Sequence, residues 1–137
     1  MASAPLEEWL NVTRAVVVVN PNADPVENQA CRMLVEETAK RSGITFEVST
    51  KRPSDKRPVI LLGSLERRPP GVGREADLSG PRTPEGKSQS EGYRLRVETV
   101  NGAPRVIALG NDRQGCMFAV GRLLRAMRYG QGKVEAP

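Results

Sequence analysis

With 137 residues, the chain has the size of one domain and can bury roughly two-thirds of the surface that its unfolded form exposes. Hydrophobic residues make up 38% of it and aromatic ones 4%, the net charge is +5, and there is no histidine. That zero excludes Ser-His-Asp and Cys-His nucleophile sites and HExxH zinc sites, and two cysteines without a CxxC spacing, Cys31 and Cys116, exclude a structural zinc site and read as small apolar core residues.

No apolar run approaches the ~18 residues of a membrane helix, and Met1 to Pro5 lacks the charged and apolar blocks of a signal peptide. The chain therefore reads as soluble, with no membrane partner. Residues 1–13 form an N-terminal segment without a clear period.

The first element is Arg14 to Asn20, RAVVVVN. An unbroken valine block predicts a strand buried on both faces, as at the centre of a sheet. Asp24-Pro25-Val26-Glu27 supplies a cap acceptor, a proline at the first helical position and a glutamate at the third, the pattern of a capping box. The helix that starts there carries Val26, Ala30, Met33, Leu34 and Thr38 on one stripe, leaves Glu27, Glu36, Glu37 and Lys40 off it, and ends near Ser42 with Gly43 beyond. Ile44 to Ser49 alternates as a half-buried strand does, and after a basic turn Val59 to Gly63, VILLG, reads as a short buried strand.

Periodicity is lost from Ser64 to Ser90, where Pro69, Pro70, Pro81 and Pro84 mix with Gly71, Gly73, Gly80 and Gly86. The expectation is a long surface loop over 64–90. Much of the basic excess lies in this loop and in the preceding turn, at Lys51, Arg52, Lys56, Arg57, Arg67, Arg68, Arg74 and Arg82, and reads as solvated charge.

Order returns at Tyr93 to Val100, where Tyr93, Leu95, Val97 and Thr99 alternate with Arg94, Arg96 and Glu98. Asn101-Gly102 suits the positive φ angles of a type I′ turn, so Arg105 to Leu109 should return antiparallel, with Pro104 at the strand start or on an unpaired edge. The register predicts Tyr93, Leu95 and Val97 buried and Arg94 and Arg96 exposed. Gly110 to Gly115 opens a second helix, with Asn111 as expected cap and Gln114 reaching back to it. Cys116, Met117, Val120, Leu123, Leu124 and Met127 form its apolar stripe, Arg122, Arg125 and Arg128 its wet face, and Gly130 its stop. These elements predict an α+β fold of order β-α-β-β-β-β-α, a mixed β-sheet with two α-helices packed mainly on one face.

Three kinds of chemistry fail on the residues present. A strand followed by Gly110-x-x-x-x-Gly115 imitates a phosphate loop, but Cys116 and Met117 stand where lysine and Ser or Thr are needed. No cofactor site is expected. Glu36 and Glu37 are helix neighbours pointing apart, while Glu7, Glu8, Glu91 and Asp112 lie in a terminal segment or beside turns, so no pair of acids stands out for glycosidic cleavage. Arg94 and Arg96 could meet RNA phosphates from a sheet surface, yet Tyr93, the hairpin's one ring, falls on the opposite side, and sheet-based RNA readers stack bases on exposed rings. Nucleic acid is not the expected partner.

Glu91-Gly92-Tyr93-x-Leu95-x-Val97, then Val106-Ile107-Ala108, Gly110-Asn111-Asp112-Arg113-Gln114-Gly115 and Gly121-x-Leu123-Leu124-Arg125, resembles the N-terminal accessory domain shared by family 20 β-N-acetylhexosaminidases and α-glucuronidases. The likeness extends from Arg14 to Arg128, and Cys116-Met117-Phe118-Ala119 departs from the leucine-tyrosine-glycine type run common there. It implies a zincin-like mixed sheet without zinc, no catalytic residue on this chain, and a (β/α)₈ catalytic barrel of the same polypeptide as partner. A docking surface against that barrel is then expected at Arg94, Arg96 and Glu98 on the hairpin, or at Arg122, Arg125 and Arg128 on the second helix. The alternative of another class is a free-standing basic module that binds RNA or another polyanion.

Overall fold

The computed structural model describes residues 9–72 and 92–137. In chain order the elements are β1 (Leu10–Asn11), β2 (Val16–Val18), α1 (Pro25–Ser42), β3 (Glu47–Ser49), β4 (Val59–Ser64), β5 (Tyr93–Val100), β6 (Ala103–Gly110), α2 (Arg113–Ala126), β7 (Arg128–Gly130) and β8 (Lys133–Ala136). The fold is α+β, as the sequence predicts, with the strands in two sheets.

The larger sheet has the order β3-β2-β4-β6-β5. β2 runs parallel to both β3 and β4, β4 runs parallel to β6, and β5 closes the sheet antiparallel to β6. The valine block thus lies inside the sheet, and its residues serve both faces. Val17, Ile60, Leu62, Val106 and Ala108 face the helices, where Ala30, Leu34, Val120 and Leu123 meet them. Val16, Val18, Val59, Leu61, Ile107 and Leu109 form a second buried cluster on the other face, with Leu65 and Val72 packed against it. Each fully buried Val or Leu contributes about 1.5–3 kcal/mol by leaving water.

α1 begins as expected. The Val26 amide donates to Asp24 Oδ1 and the Asp24 amide donates to Glu27 Oε1, both at 2.8 Å. The helix stops at Gly43, whose φ of 78° lets its amide donate back to the Ala39 carbonyl at 2.8 Å. Glu27 departs from expectation: it is buried with Ala30, Cys31, Leu34 and Thr38, because the capping bond folds its side chain back against the chain entering the helix.

The hairpin also forms in the expected register, with Leu95 opposite Ala108 and Val97 opposite Val106. Asn101 and Gly102 have φ of 51° and 81°, the pair of positive values that a type I′ turn requires. Pro104 pairs with Thr99 just before β4 joins the ladder at Arg105, so its missing N–H leaves no gap in the sheet. Tyr93, Leu95 and Val97, expected to be buried, are only partly so, and pack against the helix-side core. Arg94 is a correction. It is buried, not exposed, because its position opposite Leu109 places it on the second buried face.

Three further expectations are revised. The strand from Ile44 is confined to Glu47–Ser49, and Val48 is 48% exposed; an edge strand at this place has only β2 to lean on. α2 takes Asp112 rather than Asn111 as its cap, the Gly115 amide donating to Asp112 Oδ1 at 2.8 Å, and Gln114 is exposed. The helix ends at Ala126 rather than running to Gly130, and Arg128 therefore lies in β7 and not on α2. Of the loop expected over 64–90, Ser64 is still in β4 and residues 65–72 are irregular, with the Leu65 amide on the Gly110 carbonyl at 3.0 Å; the rest lies outside the described residues.

The smaller sheet, β1-β8-β7, has no counterpart in the sequence reading. The amide of Val12 donates to the Val134 carbonyl at 2.9 Å, Thr13 Oγ1 accepts from the Val134 amide at 3.0 Å, and Gly132 donates to the Ser42 carbonyl at 2.7 Å. These bonds fasten the chain's last strands beside the end of α1, and bury Val134 and Ala136 completely.

Candidate docking surface

The turn from β6 into α2 is the place where a phosphate would sit if the glycine spacing were functional. A Cβ on Gly110 would lie 2.0 Å from the Cys116 amide nitrogen, and one on Gly115 would lie 2.1 Å from the Gly92 carbonyl oxygen. Both glycines are there because backbone passes backbone. The Gly115 amide is already taken by Asp112, and the Asn111 amide by the Gly92 carbonyl at 2.7 Å. A carboxylate thus occupies the helix N-terminus that a phosphate loop keeps open.

Neither cysteine offers a nucleophile. Cys31 and Cys116 are free and buried. Burial pushes the Cys116 thiol up to about 12, with Glu27 and Cys31 adding to the rise. Burial also raises Cys31, against a smaller pull from Arg32. Among the described residues no cluster of three or more His, Cys, Asp or Glu is placed to hold a metal, and no helix is long and apolar enough to cross a membrane.

The residues expected to dock are not brought together. Arg94 sits in the protein, with its guanidinium on the Asn111 side-chain oxygen. Arg96 stays exposed and lies 3.9 Å from Glu98, which is bonded in turn to Arg105 across the hairpin. Arg128 stacks over the Trp9 ring at 4.3 Å and pairs with Glu135 at 2.6 Å, which lowers the Glu135 carboxyl below its ordinary range. Both roles hold the small sheet together. Arg122 and Arg125 remain, exposed on α2.

Arg125 belongs to a larger feature that the sequence reading divided between two helices. On their side away from the sheet, α1 and α2 leave an open groove of about 580 Å³ with Met33, Met117 and Leu124 as its apolar floor. Arg32, Glu36 and Arg125 stand along its rim. One end is closed by Arg41, which donates to the Leu124 carbonyl at 3.3 Å and lies 5.4 Å from the centre of the Tyr129 ring. The Tyr129 hydroxyl donates to the same carbonyl at 2.8 Å, and burial raises its pKa. On the same helix as Met117, the next residue, Phe118, is 47% exposed. Its signal in the sequence is a ring that directly follows the stripe residues Cys116 and Met117 without belonging to the stripe.

No protein-family model matches the sequence, and no curated protein does. Among solved structures, the chain is similar to one described as a novel family GH115 4-O-methyl-α-glucuronidase with specificity for decorated arabinogalactans, at a TM-score of 0.57 and 14% identity over 88% of this chain. The chain spans 14% of the length of that enzyme. At this identity, what the two share is a fold.

Proposed function

We propose that the chain is the non-catalytic N-terminal accessory domain of a glycoside hydrolase, packing against a (β/α)₈ catalytic barrel of the same polypeptide and stabilising it. The observation that carries this reading is the likeness of nearly the whole chain to a small part of a much longer α-glucuronidase. Of the two enzyme classes that the hairpin and second helix resemble, this neighbour favours the α-glucuronidases, so uronic-acid side chains of a polysaccharide are the parent's proposed substrate class.

The state of the carboxylates supports the non-catalytic part. Glycosidic cleavage needs two acids free to act across the scissile bond. Here Asp24, Glu27 and Asp112 are held as helix caps, and Glu37, Glu47, Asp55, Glu66, Glu98 and Glu135 are paired with Lys or Arg. Among the described residues only Glu36 has neither role. The groove between α1 and α2 is the proposed contact with the barrel: an apolar floor, a mixed-charge rim and an exposed ring suit the partly polar interfaces between domains of one chain.

The reading is tested by incubating the purified chain with aryl α-glucuronides and aryl β-N-acetylhexosaminides. No chromophore above the blank is expected. Release that survives rigorous purification contradicts the assignment.

A further inference from the structure

Three shallow concavities run into one another along the end of the domain where the parallel strands begin. The first, of about 250 Å³, lies between the hairpin tip at Asn101 and the segment carrying Arg52 and Lys56. The second, of about 390 Å³, shares Asp55, Lys56 and Arg57 with it and adds Arg14. The third, of about 580 Å³, shares Arg14 and Pro58 with the second and extends to Thr13 and Gln131. The shared lining residues place them side by side, as a track from the hairpin tip to the small sheet.

Its charge is mainly positive, and the one carboxylate that lines it, Asp55, is paired with Arg57. Arg57 is neutralised by Glu47 at 3.2 Å and Asp55 at 3.3 Å, Arg105 is bonded to Glu98, and Lys133 lies 3.5 Å from Glu135. Among the described residues the side chains of Arg14, Arg52 and Lys56 meet no carboxylate, and all three are exposed. These three cations thus follow one another along the track. No aromatic ring lines it among the described residues. That removes base stacking, on which single-stranded nucleic acid binding relies, and equally removes ring stacking for a neutral sugar. What remains is positive charge beside side-chain amide and hydroxyl groups at Asn101, Gln131 and Thr13, which suit a ligand that carries both carboxylates and hydroxyls. Arginine in particular matches a carboxylate through two parallel N–H donors.

From this we infer a second binding surface: the track holds a linear anionic polysaccharide whose carboxylates meet Arg14, Arg52 and Lys56 in turn. It is separate from the groove between the helices, so it stands or falls independently of the accessory-domain reading.

Calorimetric titration of the full chain with an oligogalacturonate at low salt tests it. Binding that weakens as salt rises is expected, and the triple variant Arg14→Ala, Arg52→Ala, Lys56→Ala should bind about tenfold more weakly or worse. The variant Arg122→Ala, on α2 and lining none of the three concavities, should keep the affinity. Melting curves check that the triple variant remains folded, since exposed charges contribute little to stability. No binding, unchanged affinity in the triple variant, or equal binding of a neutral glucan of the same length overturns the inference. Tighter binding of a single-stranded oligonucleotide of equal charge overturns the assigned ligand class.

Discussion

Gly115 at the start of α2 passes so close to Gly92 at the entry to β5 that a Cβ on it would stand 2.1 Å from the Gly92 carbonyl oxygen. This approach sets the height of α2 above the sheet. Gly115→Ala should therefore destabilise the chain by about 3 kcal/mol or more, because backbone on both sides would have to move. Gly121→Ala is the internal control: its new Cβ would meet nothing nearer than Arg125 Nη1 at 3.6 Å, and replacing a mid-helix glycine should stabilise by about 0.5–1 kcal/mol. Urea unfolding of the two variants measures both, and a mild cost at Gly115 contradicts the close approach.

The two helices are also linked at their first turns. Arg113, the first residue of α2, lies 3.5 Å from the carboxylate of Asp24, the cap of α1. Asp24→Ala should cost about 1–2 kcal/mol, mostly through the lost cap. Arg113→Ala should cost less than about 0.5 kcal/mol, since the guanidinium is largely in water. Thermal unfolding that ranks the two the other way makes the ion pair, not the cap, the important contact.

At the hairpin tip, Asn101 holds a φ of 51°. Asn101→Val should cost about 1–2 kcal/mol, because a β-branched residue resists the left-handed region, while Asn101→Gly should be nearly neutral. Equal costs for the two would mean that the turn does not have this backbone.

The hairpin, the cap of α1 and the central valine strand were legible because each is governed by local chemistry: Asn-Gly for the turn, Asp-Pro-x-Glu for the cap, consecutive β-branched residues for a strand covered on both sides. The faces of β5 were legible too, but not the fate of Arg94. Alternation tells which residues share a face and does not tell whether that face is covered. The small sheet was hidden for a different reason. Two to four residues per strand are too few to show a period, and Gly130 reads as a helix stop although it ends β7, and Gly132, with a φ of 71°, turns the β7–β8 hairpin. The groove between the helices escaped because its floor is assembled from Met33 on one helix and Met117 and Leu124 on the other, residues that a one-helix pattern assigns simply to the core.

The buried thiol of Cys116 carries a pH signature. Its pKa is raised to about 12 from an ordinary value of 9.0, so the folded state holds the proton more tightly than the unfolded one. Its contribution to stability is complete below the ordinary value and is lost as pH rises through this interval. The stability difference between the wild type and Cys116→Ala should therefore shift in favour of the variant as the solution is made alkaline. Urea titrations across that range check it, and a constant difference contradicts the burial of the thiol. A disulfide reagent for thiols should label either cysteine only as fast as the chain unfolds.

The proposed accessory-domain role is tested most directly by melting the chain alone and the chain joined to the catalytic barrel proposed as its partner, each with and without Met33→Glu and Met117→Glu. Both methionines are half-buried and line the proposed contact, so the pair should lower the melting temperature of the isolated chain modestly and that of the joined protein by clearly more. Equal shifts in the two contexts would contradict the claim that this groove is where the domain meets its enzyme.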